Sequence, residues 1–412
     1  MAFFTASDFM AFTFRFADPF AQVQGSPIRE LFRYLSQPGM ISFAGGYPAP
    51  ELFDVTGLQA SFNAITAAPG ATLSYGATEG WPALRESFAR MSTARAIPTQ
   101  AEQLVVTSGS QQGFDLLLRA FIQPGDTVVV ERPTYPAALQ GLRLAGARIV
   151  TVASDAHGPD LTEMATVLQQ HHPKLLYLVP TFANPTGATM DLARRHQLLT
   201  LLSDTSCVLI EDDPYGELRF EGEQVPALAA LARDTRVADQ IVYLSSLSKT
   251  VAPGLRMGWM RAHPEILRRC VLAKQVDDLC SAPYLQAVAA HYLDSGRYEA
   301  HLPAIAASYG ERARLMMATL RQHFGDTLTL LAPEGGMFLW GRLQDDLDAT
   351  ALLPLAIEEN VMFVPGSAFY AAQPDPQAFR LSFTMSTTEQ IVQGCERLYR
   401  AARRLRQTPS GL

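Results

Sequence analysis

One lysine stands between hydroxyl side chains and a following arginine in the segment SSLSKTVAPGLRMG. The lysine is Lys249, the hydroxyls belong to Ser246 and Ser248, and the arginine is Arg256. A lysine amine whose pKa is lowered by burial or by nearby cations can form a Schiff base with a carbonyl. The two serines and the forked guanidinium could bind a phosphate. The segment therefore suits an anionic carbonyl cofactor, although a lysine in a loop is usually a solvated surface charge.

A second candidate anion site is the segment TSGSQQG, which follows a predicted strand and opens a predicted helix. The first N–H groups of a helix point at whatever lies beyond its start, and an anion fits there. Ser110 and Gln111 could complete a phosphate site with the serines and arginine of the lysine segment. An ordinary serine N-cap explains the motif equally well.

A carboxylate emerges at the end of the apolar run CVLIED, where Asp212 opens the motif EDDPYGE. A buried carboxylate needs a cationic partner, and the protonated ring nitrogen of a cofactor would be one. Tyr215, three residues later, and Asn184 in FANPTG could both reach a ring oxygen. Asp213 is the alternative carboxylate, because one sequence does not show which of the two points inward.

Two further side chains could contact a ring and a substrate. Tyr135 in ERPTYP follows another predicted strand and could stack on the ring; a turn tyrosine that caps the sheet is the alternative. Arg380 in FRLSF lies in an apolar strand, where an unpaired guanidinium is costly. The α-carboxylate of an amino acid would satisfy it, but the sequence alone favours a structural salt bridge.

The elements that must position these residues are short β-rich runs that alternate with helical patterns from about residue 100. Strands are predicted at 103–108, 126–131, 147–152, 174–179, 207–212 and 241–246, and helices at 111–122 and 191–203. The polar motifs follow these runs, and in parallel sheets ligands gather at the carboxyl ends of the strands. The pattern predicts an α/β fold with a mainly parallel mixed sheet.

A change of pattern after about residue 300 predicts a second, smaller α+β domain. It consists of a long helix, the GGMFLW strand and the closing FRLSF strand. We expect residues 1–40 to form an N-terminal arm and the start of the small domain, 41–300 the large domain, and 301–412 the small C-terminal domain. The first 20 residues are rich in Phe, so the arm is expected to pack on another surface, such as a partner subunit.

Composition limits the function classes. The chain has 412 residues, 48% of them hydrophobic, and a formal net charge of −7 with its cations dispersed. This predicts no binding of nucleic acid or of an anionic membrane. No apolar run approaches the ~20 residues that cross a bilayer. The four cysteines form no metal pattern, which predicts no metal and favours a reducing cytoplasm.

Taken in order, these motifs resemble the class I/II aminotransferases of the fold type I pyridoxal 5′-phosphate (PLP) superfamily. The resemblance extends from about residue 25 to 400, and it is strongest to the 2-aminoadipate and kynurenine aminotransferase branch. The segments that carry it are SPIREL, ISFAGGYPAPELF, LSYGATEGWPALR, TSGSQQG, ERPTYP, FANPTG, EDDPYGEL, SSLSKTVAPGLRMG, PEGGMFLW and FVPGSAFY.

The resemblance implies a role for each matching residue. Lys249 becomes the Schiff-base lysine, Asp212 the partner of the pyridine nitrogen, and Tyr135 the residue stacked on the ring. Asn184 and Tyr215 would hold the ring oxygen O3′. The phosphate would be bound by Ser110, Gln111, Ser246, Ser248 and Arg256, with Tyr75 of LSYG reaching in from the other subunit of a homodimer. The substrate α-carboxylate would meet Arg380 and Asn184 near the backbone of Gly45 and Gly46.

The resemblance also implies a ping-pong transfer of an amino group from an L-amino acid to a 2-oxo acid such as 2-oxoglutarate. Glutamate, 2-aminoadipate, aromatic and branched-chain amino acids are the expected donors. Arg29 in SPIREL could pair with a distal carboxylate of the donor; pairing with Glu30 or Glu51 on the surface is the alternative. The rivals are a PLP-dependent lyase, racemase or decarboxylase on the same scaffold, and a PLP-binding sensor with low turnover.

Overall fold

The structure is a computed structural model that describes residues 14–21, 30–344 and 346–407. Its strands are Ile41–Ser42 (β1), Leu104–Thr107 (β2), Thr127–Arg132 (β3), Arg148–Asp155 (β4), Gly158–Pro159 (β5), Leu175–Leu178 (β6), Val208–Asp212 (β7), Ile241–Ser246 (β8), Gly258–Arg261 (β9), Leu328–Leu331 (β10), Phe338–Leu343 (β11), Val361–Met362 (β12), Val364–Pro365 (β13) and Ala378–Ser382 (β14).

Except for the first and the last, the α-helices described here lie between strands along the chain. They are Asp18–Ala21 (α1), Val55–Ala67 (α2), Pro82–Ala94 (α3), Ser110–Phe121 (α4), Pro136–Leu144 (α5), Leu161–His171 (α6), Leu192–Leu202 (α7), Leu228–Leu231 (α8), Pro264–Asp277 (α9), Pro283–Asp294 (α10), Arg297–Phe324 (α11), Ala349–Glu358 (α12) and Thr388–Gln407 (α13). Within the ranges described, no helix is long and apolar enough to cross a membrane.

The largest sheet has eight strands in the order β2-β9-β8-β7-β6-β3-β4-β5. Strands β8, β7, β6, β3 and β4 are parallel, whereas β9 is antiparallel to both of its neighbours and β5 is antiparallel to β4. The six strands predicted from the sequence are confirmed, as is the mainly parallel mixed sheet.

Alternate residues of the parallel strands enter two different hydrophobic clusters, because side chains of a strand point to opposite faces. In β6, Leu175 and Tyr177 join the cluster that contains helices α4 and α5. Leu176 and Leu178 join the cluster on the other face, which contains α6 and α7. Burial on both faces explains why the parallel strands read as continuous apolar runs.

A four-stranded antiparallel sheet, in the order β10-β11-β14-β13, forms from the C-terminal part of the chain. Helix α11 packs against α13 beside it. Strand β1 pairs in parallel with β12, so the segment that follows residue 41 is tied to this part of the protein. That segment then runs to Gly46, which lies in the cleft described next.

Candidate active site

An open cleft of about 730 Å³ lies at the carboxyl ends of strands β6, β7 and β8. Most of the site residues predicted from the sequence line it: Gly46, Ser110, Gln111, Tyr135, Asn184, Asp212, Tyr215, Ser246, Ser248, Lys249, Arg256 and Arg380. Two predicted residues are not among its lining. The side chain of Tyr75 is 84% exposed on this chain, and Arg29 lies outside the described residues.

Lys249 follows strand β8, and its Nζ donates a 2.8 Å hydrogen bond to the carbonyl oxygen of Gly46. The sequence contains only two other lysines, Lys174 and Lys274. Lys174 pairs with Asp126 at 2.6 Å, and Lys274 pairs with Asp278 at 2.7 Å. Of the three lysines, Lys249 is thus the one that lines the cleft, where its amine could react with a carbonyl.

Burial lowers the pKa of Lys249 to about 8, and the positive charges of Arg380 and Arg256 act in the same direction. The carboxylate of Asp212 opposes this shift. A lysine with an ordinary pKa near 10.4 is almost entirely protonated at neutral pH. The lowered pKa gives Lys249 a larger share of the neutral amine, which is the form that attacks a carbonyl.

Asp212 is the last residue of β7, and its carboxylate is buried. The hydroxyl of Tyr177 donates a 2.8 Å hydrogen bond to Asp212 Oδ2. The other oxygen, Oδ1, is buried and has no hydrogen-bond partner among the described residues. Burial raises the pKa of Asp212 to about 6. A carboxylate in this state calls for a cation or a proton donor in the cleft.

Asp213 lies outside the cleft. Its Oδ2 accepts a 2.6 Å hydrogen bond from Arg95 Nη2 and a 3.1 Å hydrogen bond from the hydroxyl of Tyr243. Its Oδ1 accepts from the backbone N–H of Gly216 at 2.9 Å. With both oxygens bonded in this way, Asp213 is satisfied by the protein itself, and Asp212 is the carboxylate that faces the cleft.

Arg380, in strand β14, is a buried cation that also lines the cleft. Its Nη1 donates 2.8 Å to Asn184 Oδ1, and its Nη2 donates 2.6 Å to the carbonyl oxygen of Ala44. Phe338 and Phe369 lie 4.3 and 4.9 Å from the guanidinium carbon. Arg380 forms no salt bridge within the described part of the chain, so the structural ion pair that the sequence favoured is not found there.

The consequence of this burial is an uncompensated positive charge. Burial lowers the pKa of Arg380 to about 10, and the group stays protonated at neutral pH. Its Nε has no hydrogen-bond partner among the described residues. A buried guanidinium with neutral partners binds an incoming carboxylate well, because the two groups match in geometry and charge.

A turn that contains Gly109 precedes helix α4. Gly109 has a φ of +79°, and a Cβ at this position would lie 2.8 Å from Arg256 Nη2. The side chain of Arg256 also donates 2.7 Å to the carbonyl oxygen of Ser108. Across the turn, Ser246 Oγ lies 2.7 Å from Ser248 Oγ. The start of α4, a guanidinium and two hydroxyls thereby converge where a phosphate could bind.

Two of the predicted tyrosines, Tyr135 and Tyr215, also line the cleft. The hydroxyl of Tyr135 donates a 3.3 Å hydrogen bond to Gln111 Oε1. Tyr215 packs edge-to-face against Phe338, with ring centroids 5.8 Å apart. Burial raises the pKa of the Tyr215 hydroxyl, so it remains a hydrogen-bond donor at neutral pH.

Two polar residues beside the predicted ones were missed. Tyr177 binds Asp212, as described above. Gln112 accepts a 2.8 Å hydrogen bond from the backbone N–H of Ser108 and donates 2.8 Å to Asp278, which pairs with Lys274. Tyr177 thus lines the cleft and contacts Asp212 directly, and Gln112 joins the turn before α4 to Asp278. Nothing in the sequence marks a tyrosine in an apolar strand, or the second glutamine of TSGSQQG, as part of the site.

Comparison with known proteins shows the family to which the chain belongs. Residues 53–398 match the family described as aminotransferase class I and II. An aromatic-amino-acid aminotransferase from Thermococcus litoralis is 37% identical over 390 residues, which cover 93% of this chain and 93% of that protein.

Two solved structures are similar over nearly their whole length. An α-aminoadipate aminotransferase from Thermus thermophilus, complexed with N-(5′-phosphopyridoxyl)-L-leucine, has a TM-score of 0.88 and 37% identity, covering 95% of this chain and 98% of that one. A kynurenine aminotransferase from Pyrococcus horikoshii, complexed with PMP, has a TM-score of 0.89 and 36% identity, covering 96% and 98%.

Proposed function

The chain belongs to the class I and II aminotransferase family, and from that premise we propose which residues carry its reaction and which amino acids it takes. It is a PLP-dependent enzyme that moves an amino group from an amino acid to an oxo acid. When bound, PLP supplies a ring that withdraws electrons from the α-carbon of the amino acid.

The cleft fits this cofactor. PLP offers a carbonyl, a ring nitrogen and a phosphate, and the cleft provides an amine, a carboxylate and a group of anion-binding side chains. The single observation that carries the proposal is the buried Oδ1 of Asp212, which has no hydrogen-bond partner among the described residues, while Lys249 lines the same cleft. Gly109 leaves the space beside Arg256 that a side chain would fill.

We therefore assign Lys249 to the carbonyl of the cofactor and Asp212 to its ring nitrogen. Asn184 and Tyr215 would hold the ring oxygen, and the face of Tyr135 would cover the ring. The phosphate is assigned to Ser110, Gln111, Ser246, Ser248 and Arg256, which surround the start of helix α4.

Lys249 Nζ is also the group proposed to move the proton. Its pKa of about 8 lies near neutral pH, where a general base is partly free and its conjugate acid can still give the proton back. Arg380 would bind the α-carboxylate together with Asn184, close to the backbone of Gly46. That contact would fix the α-carbon of the amino acid beside Lys249.

The proposed donors are glutamate, 2-aminoadipate, and aromatic or branched-chain amino acids, with 2-oxoglutarate as the acceptor in a ping-pong cycle. Support comes from the names of the similar proteins, which are described as acting on aromatic amino acids, α-aminoadipate and kynurenine. Arg29 is proposed to pair with the distal carboxylate of acidic donors.

A panel of amino acids tests this range, each mixed alone with the holoenzyme while the cofactor absorbance is followed. The same panel is repeated with Arg29→Ala. We expect kcat/KM to fall for glutamate and 2-aminoadipate and to stay near the wild-type value for leucine and phenylalanine. A uniform fall, or no change, would remove Arg29 from the recognition of the side chain.

We further propose a homodimer in which Tyr75 reaches the phosphate of the partner's site. The exposed position of Tyr75 on a single chain supports this arrangement. A cytoplasmic location is also proposed and rests on the four free cysteines, a state that a reducing compartment maintains. The division into an arm (1–40), a large domain (41–300) and a small domain (301–412) stays a prediction.

A further inference from the structure

Tyr177 is a buried tyrosine in β6, and its hydroxyl contacts the carboxylate that we assign to the cofactor ring nitrogen. We propose that Tyr177 is a positioning residue: it holds Asp212 so that Oδ1 faces the ring nitrogen, and it keeps this carboxylate ionised. The proposal rests on the assignment of Asp212 in the preceding subsection. Tyr177 itself acts through Asp212.

The two oxygens of Asp212 have different environments. Oδ2 accepts the 2.8 Å hydrogen bond from Tyr177, whereas Oδ1 is buried without a partner among the described residues. A half turn of the carboxylate only exchanges its two equivalent oxygens, but any smaller rotation would break the bond from Tyr177 and bury a second unpaired oxygen, which is costly. Tyr177 therefore selects the orientation that leaves Oδ1 available to the cleft.

The position of the Tyr177 hydroxyl is itself fixed. Strands β6 and β7 are parallel neighbours, and Tyr177 stands opposite Ile210, two residues before Asp212. The ring of Tyr177 is about 1% exposed and packs edge-to-face against Phe114 of helix α4, with centroids 4.9 Å apart. A ring enclosed by the sheet and a helix cannot move its hydroxyl far, so the donor stays directed at Asp212.

The hydrogen bond also affects the charge of Asp212. Burial raises the pKa of this carboxyl, and the bond from Tyr177 opposes the rise. Asp213 adds to the rise, whereas Lys249 and the nearby Ser110 hydroxyl oppose it. Tyr177 remains a donor at working pH, because burial raises its own pKa. Without this donor, Asp212 would hold a proton more tightly and leave the ring nitrogen less positively charged.

Tyr243 provides a matched control. It is a fully buried tyrosine on the adjacent strand β8, and its hydroxyl donates to Asp213 at 3.1 Å. Tyr243→Phe thus removes the same atom, at similar burial, from a carboxylate that lies outside the cleft. A loss caused only by removing a buried hydroxyl would appear in both variants.

The experiment compares the wild-type holoenzyme with Tyr177→Phe, Tyr243→Phe, Asp212→Asn and the double variant Tyr177→Phe/Asp212→Asn. Two quantities are measured: the pH midpoint of the visible absorbance change of the bound cofactor, and the rate of the first half-reaction with glutamate. Thermal unfolding of each apoenzyme is the check on folding.

For Tyr177→Phe we expect the midpoint of the absorbance change to move to higher pH by on the order of one unit. A less positive ring raises the pKa of the nitrogen that joins Lys249 to the cofactor, so this nitrogen loses its proton at higher pH. We expect the half-reaction to slow by about tenfold, the usual effect of losing a hydrogen bond to a charged group. Tyr243→Phe should change neither quantity. In the Asp212→Asn background, removal of the Tyr177 hydroxyl should add nothing further, since its target is gone.

Different failures have different meanings. If Asp212→Asn lowers the rate while Tyr177→Phe leaves both quantities at wild-type values, the inference is wrong and the assignment of Asp212 stands. If Asp212→Asn itself has no effect, the assignment fails first. An equal loss from Tyr177→Phe with and without Asp212 would mean a packing role and would also overturn the inference.

Should Tyr177→Phe fail to fold, 3-fluorotyrosine placed at position 177 keeps the ring and makes its hydroxyl a stronger donor. The midpoint should then move to lower pH. An unchanged midpoint would overturn the inference.

Discussion

Arg95 donates a 2.6 Å hydrogen bond to Asp213 Oδ2, and this ion pair holds Asp213 away from the cleft that Asp212 faces. The side chain of Asp213 is 1% exposed and that of Arg95 is 11% exposed. Of these two adjacent carboxylates, Asp213 completes a buried ion pair, and Asp212 is the one that we propose binds the cofactor.

Because the two carboxylates have different partners, replacing each aspartate with asparagine should have a different effect. Asp212→Asn should slow the first half-reaction by on the order of 10²-fold or more, because the charge opposite the ring nitrogen is lost, while thermal stability is kept. Asp213→Asn should mainly lower stability, by on the order of 3 kcal/mol, since Arg95 loses its buried partner. Rapid-mixing absorbance and thermal unfolding measure the two effects. Equal rate losses would contradict the assignment of Asp212.

Arg380 should discriminate substrates by their carboxylate. Arg380→Lys keeps a positive charge but loses the fork, so kcat/KM for amino acids should fall by about 10² or more. An amine that lacks the carboxylate should react with both forms at similar, low rates. Cofactor absorbance serves as the control and should be unchanged. A variant with wild-type kcat/KM for glutamate would show that the carboxylate binds elsewhere.

The lowered pKa of Lys249 predicts how fast the apoenzyme takes up the cofactor. Only the neutral amine attacks the carbonyl, so the rate should rise with pH and level off above about 8. An unperturbed lysine would reach its midpoint near pH 10.4. Stopped-flow absorbance over pH 6.5–10.5 measures the profile, with free N-acetyl-lysine as the reference. A rate that still rises steeply at pH 10 would be inconsistent with the burial of this amine.

The proposed role of Tyr75 can be tested with mixed dimers. A subunit carrying Tyr75→Phe and Lys249→Ala is combined with a wild-type subunit, so that the remaining active lysine would face a partner without the Tyr75 hydroxyl. Cofactor affinity at that site should fall by about tenfold or more, the effect of losing one hydrogen bond to a charged group. Dimers made with Lys249→Ala alone are the control. Equal affinity in the two dimers would reject the crossing of Tyr75 between subunits.

Much of the fold is predictable from the sequence because strand signals here are local. The runs near 174–179 and 207–212 are apolar, β-rich and followed by polar motifs, and the structure places β6 and β7 there. Strand β9, Gly258–Arg261, was not predicted. Its residues directly follow a motif that is typical of a phosphate-binding loop. A strand of only four residues, one of them glycine, also shows too little alternation of apolar and polar residues to be recognised.

The orientation of side chains is less accessible to sequence. The inward position of Asp212 depends on where Arg95, more than 100 residues earlier, ends helix α3. The hydrogen bond from Tyr177 to Asp212 depends on the register between strands β6 and β7, and no local sequence pattern determines that register. For Arg380, a position in an apolar strand is equally compatible with a structural ion pair and with a guanidinium available to a substrate carboxylate. Only the packing of the neighbouring residues distinguishes these two alternatives.

The most direct test of the account is reduction of the purified holoenzyme with borohydride, followed by peptide mass mapping. The sequence has three lysines, so the possible results are few. We predict a pyridoxyl group on Lys249 alone, with Lys174 and Lys274 unmodified and with no label fixed in Lys249→Ala. Stoichiometric labelling of either of the other two lysines would contradict the placement of the active site in this cleft.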